Sequence, residues 1–337
     1  MGFASRVVRL VSRSALGLGG IGLAALSSVA IVGHRVRRRH NPELDALAHE
    51  PTSIVHHHLR TADGGVVHVA EAGTGRPVVL LHGVTLQWWV WSPVMNLLSD
   101  RYRVIAWDMP GHGESELGSD GFTMETLCRD LAMVLDELDV SDAVLVGHSL
   151  GGCTVGGFLS RQPETLAERV GALMFVATAA TLAEGLATKG SPRTLFGLPG
   201  GALLSGLRKP RPSNPWTDND LNAGLVAMAF GPGATARMVS SVRRMIAEFP
   251  ASTSVAAAPV LLRHDATAAL SSAAIPTTVL AGQYDRLLPP GHSRQIANLV
   301  RGSRLVELDG VGHQIMQEAP YELVAALDDL VTRASTH

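Results

Sequence analysis

The stretch VLVGHSLGG, Val144–Gly152, decides how the rest of the chain is read. A β-forming run, Ala143–Val146, enters Gly147-His148-Ser149-Leu150-Gly151, and a segment suited to a helix continues from Leu150 to Arg161. Strand, tight turn and helix are the setting that lifts a serine Oγ clear of the backbone at the C-terminal edge of a sheet. The glycines at 147 and 151 leave room for a strained backbone. The helix N-terminus favours negative charge developing beside it. A serine hydroxyl is a poor nucleophile without a base, so this reading of Ser149 requires a histidine and a carboxylate elsewhere.

Outward from this turn the chain alternates short apolar runs with helical segments. Pro77–Leu81, Arg103–Trp107, Ala143–Val146, Leu173–Val176, Thr277–Ala281 and Arg304–Leu308 are rich in Val, Ile and Leu. Strands this uniformly apolar are usually covered on both faces, as in a parallel sheet. Thr123–Leu138, Leu150–Arg161, Pro290–Val300 and Pro320–Val331 suit helices, the first with apolar residues at 127, 131, 134, 135 and 138. Val55–Arg60 and Val66–Glu71 flank the turn Ala62-Asp63-Gly64-Gly65 and predict a hairpin. The fold class is α/β, with a mostly parallel, doubly wound sheet.

The alternation stops from about 178 to 272, where Gly, Pro, Ala, Leu and Met dominate and no clear strand is visible. So long a stretch is too long for a loop; it reads as a helical cap inserted between two strands. The domain division is then 54–177 with 273–335 for the core, 178–272 for the cap, 41–53 for a linker, and 1–40 for an N-terminal segment.

The two remaining catalytic positions follow strand ends, where open α/β sheets place their sites. Asp285 lies just beyond Thr277–Ala281, and His313 lies in the glycine-rich loop after Arg304–Leu308. The histidine takes the serine proton; the carboxylate fixes its tautomer and stabilises the imidazolium. Asp265 and Asp309 are the rival carboxylates. Ser149, Asp285, His313 is the chain order of α/β-hydrolases.

Five segments in order resemble that superfamily, and within it the lidded serine hydrolases of esterase and lipase type. They are Leu80–Val84, Asp108–Ser115, the Ser149 turn, Gly282–Asp285 and Gly312–Pro320. The resemblance implies an oxyanion hole from the backbone N–H groups of Val84 and Leu150, with His82, Gly83, Gly147, His148 and Gly151 shaping it. His82, His112 and His148 read as loop-shaping hydrogen-bond residues. Of Trp88, Trp89 and Trp91, at least one is expected in the core. Related dehalogenases and epoxide hydrolases carry aspartate at the turn, so serine argues for acyl transfer.

The expected function is hydrolysis of a carboxylic ester, lipophilic in view of the apolar cap, with no cofactor and no metal. Arg208, Lys209, Arg211, Arg243 and Arg244 of the cap are either a solvated face or headgroup contacts. Perhydrolysis, C–C hydrolysis and acyl transfer are alternatives on the same scaffold, and a non-enzymatic membrane scaffold is the rival of a different class. His56-His57-His58 alternate along a strand, which splits them between faces, so they read as solvated rather than as ligands. Cys128 and Cys153 match no zinc spacing and too few cysteines are present for a disulfide framework.

Charged residues are 17% of the chain and the net charge is −2, which does not indicate a nucleic-acid binder. Ala15–Gly33 carries no charge over a length that can cross a bilayer core. Arg6, Arg9 and Arg13 precede it; Arg35, Arg37, Arg38 and Arg39 follow. A transmembrane anchor with the catalytic domain in the cytoplasm, a signal peptide cut after Ala30 with export, and an interfacial helix are the three readings. Partners are thus a small-molecule or lipid ester and, through the N-terminus, a membrane.

Overall fold

The computed structural model describes residues 26–182 and 216–336. Eight strands form one sheet in the order β1-β2-β4-β3-β5-β6-β7-β8. They are β1 Val55–Arg60, β2 Val66–Ala72, β3 Arg76–Leu81, β4 Tyr102–Trp107, β5 Ala143–His148, β6 Val170–Val176, β7 Thr277–Gly282 and β8 Arg304–Leu308. β1 pairs antiparallel with β2, and β2 antiparallel with β4; every later pairing is parallel. The predicted hairpin, the strands and the mostly parallel sheet are all present, and the class is α/β.

Each central strand is apolar on both faces because each face is covered. Successive side chains point to opposite sides of a strand. Val78, Leu80, Val144, Val146 and Met174 therefore pack with the helices Ser92–Leu98 and Pro320–Ala334. Val79, Leu81, Leu145, Leu173 and Phe175 pack with Met124–Glu137, Leu150–Arg161 and Gly291–Leu299. Burying a side chain of this kind is worth roughly 1.5–3 kcal/mol, which makes the two interleaved sets the main stabilising term. Because β3, β5, β6, β7 and β8 run parallel, the C-terminal ends of β3, β5, β7 and β8 lie on one edge.

Between β6 and β7 the described chain is helical: Asp220–Ala227, Ala236–Glu248, Ala251–Leu262 and Thr267–Ser272. Thr181 and Asp265 make a single isolated bridge there. Within the 41–53 stretch read as a linker, one short helix forms. Asn41 caps a short helix, Pro42–Leu47, by accepting from Leu44 N–H at 3.2 Å, with proline at the first helical position where its missing N–H costs nothing.

Among the described residues no single helix is long and apolar enough to cross a membrane. The bent pair Ala236–Glu248 and Ala251–Leu262 passes that test together but supplies the buried Met238, Val242, Met245 and Leu261. Residues 15–25 of the expected span, its leading arginines, and Arg208, Lys209 and Arg211 lie outside the described residues. Residues 26–36 are helical. This helix lies against Asp220–Ala227 backbone to backbone, since a Cβ on Gly33 would strike Asp220 O and one on Gly224 would strike Val29 O. Arg37 pairs with Asp218 and Asp220, and Arg39 donates to Pro232 O.

Candidate active site

Ser149 sits where β5 ends and the helix Leu150–Arg161 begins, with φ +53° and ψ −117°. A non-glycine residue in this region is strained, and surrounding structure must hold it there. Three contacts do so. Ser149 N–H donates to Val176 O at 3.1 Å. Its carbonyl accepts from Cys153 N–H at 3.0 Å and from the Thr178 hydroxyl at 2.6 Å. The turn is packed so closely that a Cβ at Gly151 would strike Leu81 O, and one at Gly147 would lie 2.6 Å from Gly151 O.

The loop after β3 approaches the same turn. A Cβ at Gly83 would lie 3.0 Å from both Ser149 Cβ and His148 Nδ1. His82 fixes the loop: its ring nitrogens pair with Gly83 O at 2.7 Å and with Met109 N–H at 3.0 Å. Nε2 therefore accepts and Nδ1 carries the proton, a neutral ring, and full burial holds its pKa well below the usual histidine value. His112 is lowered to about 4, again by burial. His148 is likewise pushed well down by burial, with nearby His313 adding to the effect. All three are poor proton acceptors at neutral pH, as their loop-shaping reading requires. Among the described residues neither the Val84 nor the Leu150 N–H has a hydrogen-bond acceptor in the chain, an uncommon condition for a fully buried residue such as Leu150.

His313 is buried, and its Nδ1 lies 2.7 Å from Asp285 Oδ2. Asp285 Oδ1 accepts from Leu287 and Leu288 N–H at 2.8 and 2.9 Å, so both carboxylate oxygens are satisfied in a buried place. The rivals are elsewhere: Asp309 is exposed and bonds Gly310 N–H, and Asp265 is exposed and bonds Thr267. The His313 carbonyl accepts from His148 Nε2 at 3.0 Å, and the two rings stand 4.7 Å apart. The imidazole and its carboxylate are thus brought to the residue immediately before Ser149.

Three residues that shape this edge were not singled out in the sequence. Thr178 holds the Ser149 carbonyl. Asp108 accepts from Trp88 N–H at 2.7 Å and Glu114 N–H at 3.1 Å, tying two loops together. Glu318 accepts from Gly231, Gly312 and Gln314 N–H at 2.7, 3.1 and 3.2 Å, clamping the His313 loop to the insertion. Burial drives its carboxyl up to about 7, against the three donors that pull it down. Asp108 and Glu318 stand inside the quoted segments, so their neighbourhood was marked; Thr178 carried no mark.

Trp88 and Trp91 are buried, and Trp89 is half-buried. Trp89 borders an open cavity of about 470 Å³ with Trp216, Arg243, Arg244 and Gln317. Arg244 lies over the Trp89 ring and pairs with Glu248, and Arg243 donates to Trp216 O.

A family profile described as the alpha/beta hydrolase fold matches residues 76–320. The chain is 29% identical over 260 residues to a non-heme haloperoxidase of Rhodococcus erythropolis, covering 76% of this chain and 92% of that one. It is 32% identical over 126 residues to the bifunctional epoxide hydrolase 2 of Sus scrofa, covering 36% of this chain and 23% of that one. Several curated relatives are matched over less than half of their own length. In structure it is similar to an esterase from Exiguobacterium antarcticum, with a TM-score of 0.70, 21% identity, and coverage of 83% of this chain and all of the other.

Proposed function

The chain belongs to the α/β-hydrolase fold family, and we propose that within it the protein is a serine hydrolase cleaving a carboxylic ester through an acyl-enzyme. Ser149 is the nucleophile, His313 the general base and Asp285 its orienting carboxylate. The observation that carries this reading is the 2.7 Å bond between buried His313 and buried Asp285 beside a serine held at positive φ. Asp285 keeps the His313 proton on Nδ1, which leaves Nε2 free to take the Ser149 proton. The alkoxide attacks the carbonyl, and charge on the tetrahedral oxygen is stabilised by the Val84 and Leu150 N–H groups. His313 then protonates the leaving alcohol, and a water activated the same way releases the acid. Removing one such oxyanion donor typically costs about 3–4 kcal/mol.

The described helices of the 178–272 insertion, from Asp220 onward, serve as a cap at this edge. The insertion's Ala229 carbonyl receives the His313 N–H at 2.9 Å, so cap and base are joined. From the cap's apolar helices and the uncharged composition of Ala15–Gly33, the substrate is a lipophilic ester met at a membrane, with the catalytic domain on the cytoplasmic side. The deciding test is Ser149→Ala assayed on p-nitrophenyl esters of short and long acyl chains. Turnover falls by at least about 10³-fold with the fold intact, and long chains are preferred. Near-normal hydrolysis by the variant contradicts the nucleophile; strict short-chain preference contradicts the lipophilic substrate.

The similarity to a protein named a haloperoxidase favours one second reading, in which hydrogen peroxide replaces water in attack on the same acyl-enzyme and the product is a peracid. Peracid formation from an ester and peroxide, faster than hydrolysis, would support it.

A further inference from the structure

The histidine run His56-His57-His58 lies on β1, and the hairpin register places His58 directly opposite His68 of β2. His57 turns to the other face, where it meets Glu71 at 3.1 Å. His56, His58 and His68 share one face: the His56 and His68 rings stack at 5.1 Å, and the His58 and His68 rings are 5.0 Å apart. Glu114 reaches the same place from the loop after β4, its Oε2 3.3 Å from His58 Nε2. One donor atom from each of His58, His68 and Glu114 lies within 4.8 Å of the others.

His68 is the fully buried member, and its Nδ1 is 2.9 Å from Asp108 Oδ2. The carboxylate keeps the proton on Nδ1 and makes Nε2 the acceptor, which here takes a hydrogen bond from His56 Nδ1–H that a bound metal would replace. That nitrogen points back to the cluster, 2.9 Å from His56 Nδ1. A carboxylate behind one imidazole nitrogen with the other turned to a shared point is how metal-bound histidines are oriented. Asp108 is itself fixed by the Trp88 and Glu114 N–H groups and by its carbonyl's bond with Ser115 Oγ. The support behind His68 is therefore rigid, whereas His58 and Glu114 are half exposed and free to adjust. Ligands about 2.0–2.1 Å from a tetrahedral ion stand about 3.4 Å apart, so modest rotation of these two exposed side chains closes the set.

The geometry points to a divalent transition-metal site formed by His58, His68 and Glu114, with zinc as the fitting ion. Two imidazoles and one carboxylate suit a borderline ion such as Zn²⁺ better than Mg²⁺ or Ca²⁺, which prefer all-oxygen shells. A fourth position stays open to water or to His56 beside it. The exposed side chains give an entry path. Through His68 and Asp108 the ion is linked to the loops at Trp88 and at Glu114.

The test is calorimetric titration of the metal-stripped full-length chain with Zn²⁺, repeated with His58→Ala, Glu114→Ala and His57→Ala, and with Co²⁺ as an absorbing substitute. One Zn²⁺ binds per chain, and Co²⁺ gives the visible bands of a four-coordinate site. His58→Ala and Glu114→Ala each weaken binding by at least about tenfold, while His57→Ala, on the opposite face, binds as the unaltered chain does. Both ligand positions are exposed, and unchanged far-UV circular dichroism and thermal midpoint report that these variants fold. Absence of Zn²⁺ binding, or unaltered affinity in either His58→Ala or Glu114→Ala, overturns the site.

Discussion

At the scale of single residues the site rests on who holds His313. Asp285 is buried, satisfies both of its oxygens, and bonds His313 Nδ1, whereas Asp309, only four positions from the histidine, faces solvent. Asp285→Asn keeps the shape but permits the wrong imidazole tautomer, so kcat on an ester is expected to fall on the order of 10³–10⁴-fold with little change in KM. Asp309→Asn leaves both unchanged; an equal loss in the two variants would contradict the assignment. Thr178→Val removes the hydroxyl that binds the Ser149 carbonyl. It is expected to cost roughly 1 kcal/mol of stability in denaturant titration, together with a loss of kcat, because a strained turn is held less firmly.

The residue scale also shows what a sequence can and cannot carry. Ser149, Asp285 and His313 each followed a strand end, and strand ends are legible because apolar β-formers stop abruptly at glycine. The Asp265 alternative was separable only by burial, which spacing does not report. Thr178 was invisible, since its role depends on the end of β6 lying beside the turn after β5, where Val176 pairs with His148. The histidine run was split between faces as alternation requires, but its reading as solvated missed His68. That residue joins His56 and His58 only through the hairpin register.

At the scale of elements, the loop carrying His313 is clamped by Glu318. Its carboxyl has its usual value near 4.5 in the unfolded chain and about 7 in the folded one. Between these values the folded chain holds a proton that the unfolded chain has lost. The contribution is therefore complete below about pH 4.5 and is lost as pH rises through 7. The whole swing is on the order of 3 kcal/mol. Glu318→Gln keeps an acceptor for the three N–H groups and removes the titration. Urea unfolding at pH 5 and pH 8 is expected to show the wild type losing more stability with rising pH than the variant does. Parallel pH profiles would contradict the buried, proton-holding carboxyl. Glu318 stood within the Gly312–Pro320 segment, yet its burial against Gly231 depends on how the insertion folds back, which local pattern does not encode.

At the scale of the whole molecule, the alternation of apolar runs and helical segments was enough to give the α/β class. Two covered faces leave each central strand apolar throughout. The N-terminal segment, residues 1–40, was legible only as composition. Residues 26–36 dock on Asp220–Ala227 through Gly33 and Gly224, a contact that needs the absence of side chains on both helices. Gly33→Leu is expected to separate them, exposing the Asp220–Ala227 helix to limited proteolysis and lowering the thermal midpoint by a few degrees, consistent with roughly 1–3 kcal/mol for overpacking. An unchanged cleavage pattern would show that the contact does not hold the insertion.

The central claim is that Ser149 is a nucleophile activated by His313. Peptide mass spectrometry after treatment with a fluorophosphonate measures it directly, because such a reagent captures only an activated serine. The expected result is a single covalent adduct on Ser149, abolished in His313→Ala although that variant remains folded. An unmodified Ser149, or equal labelling in the absence of His313, would contradict it.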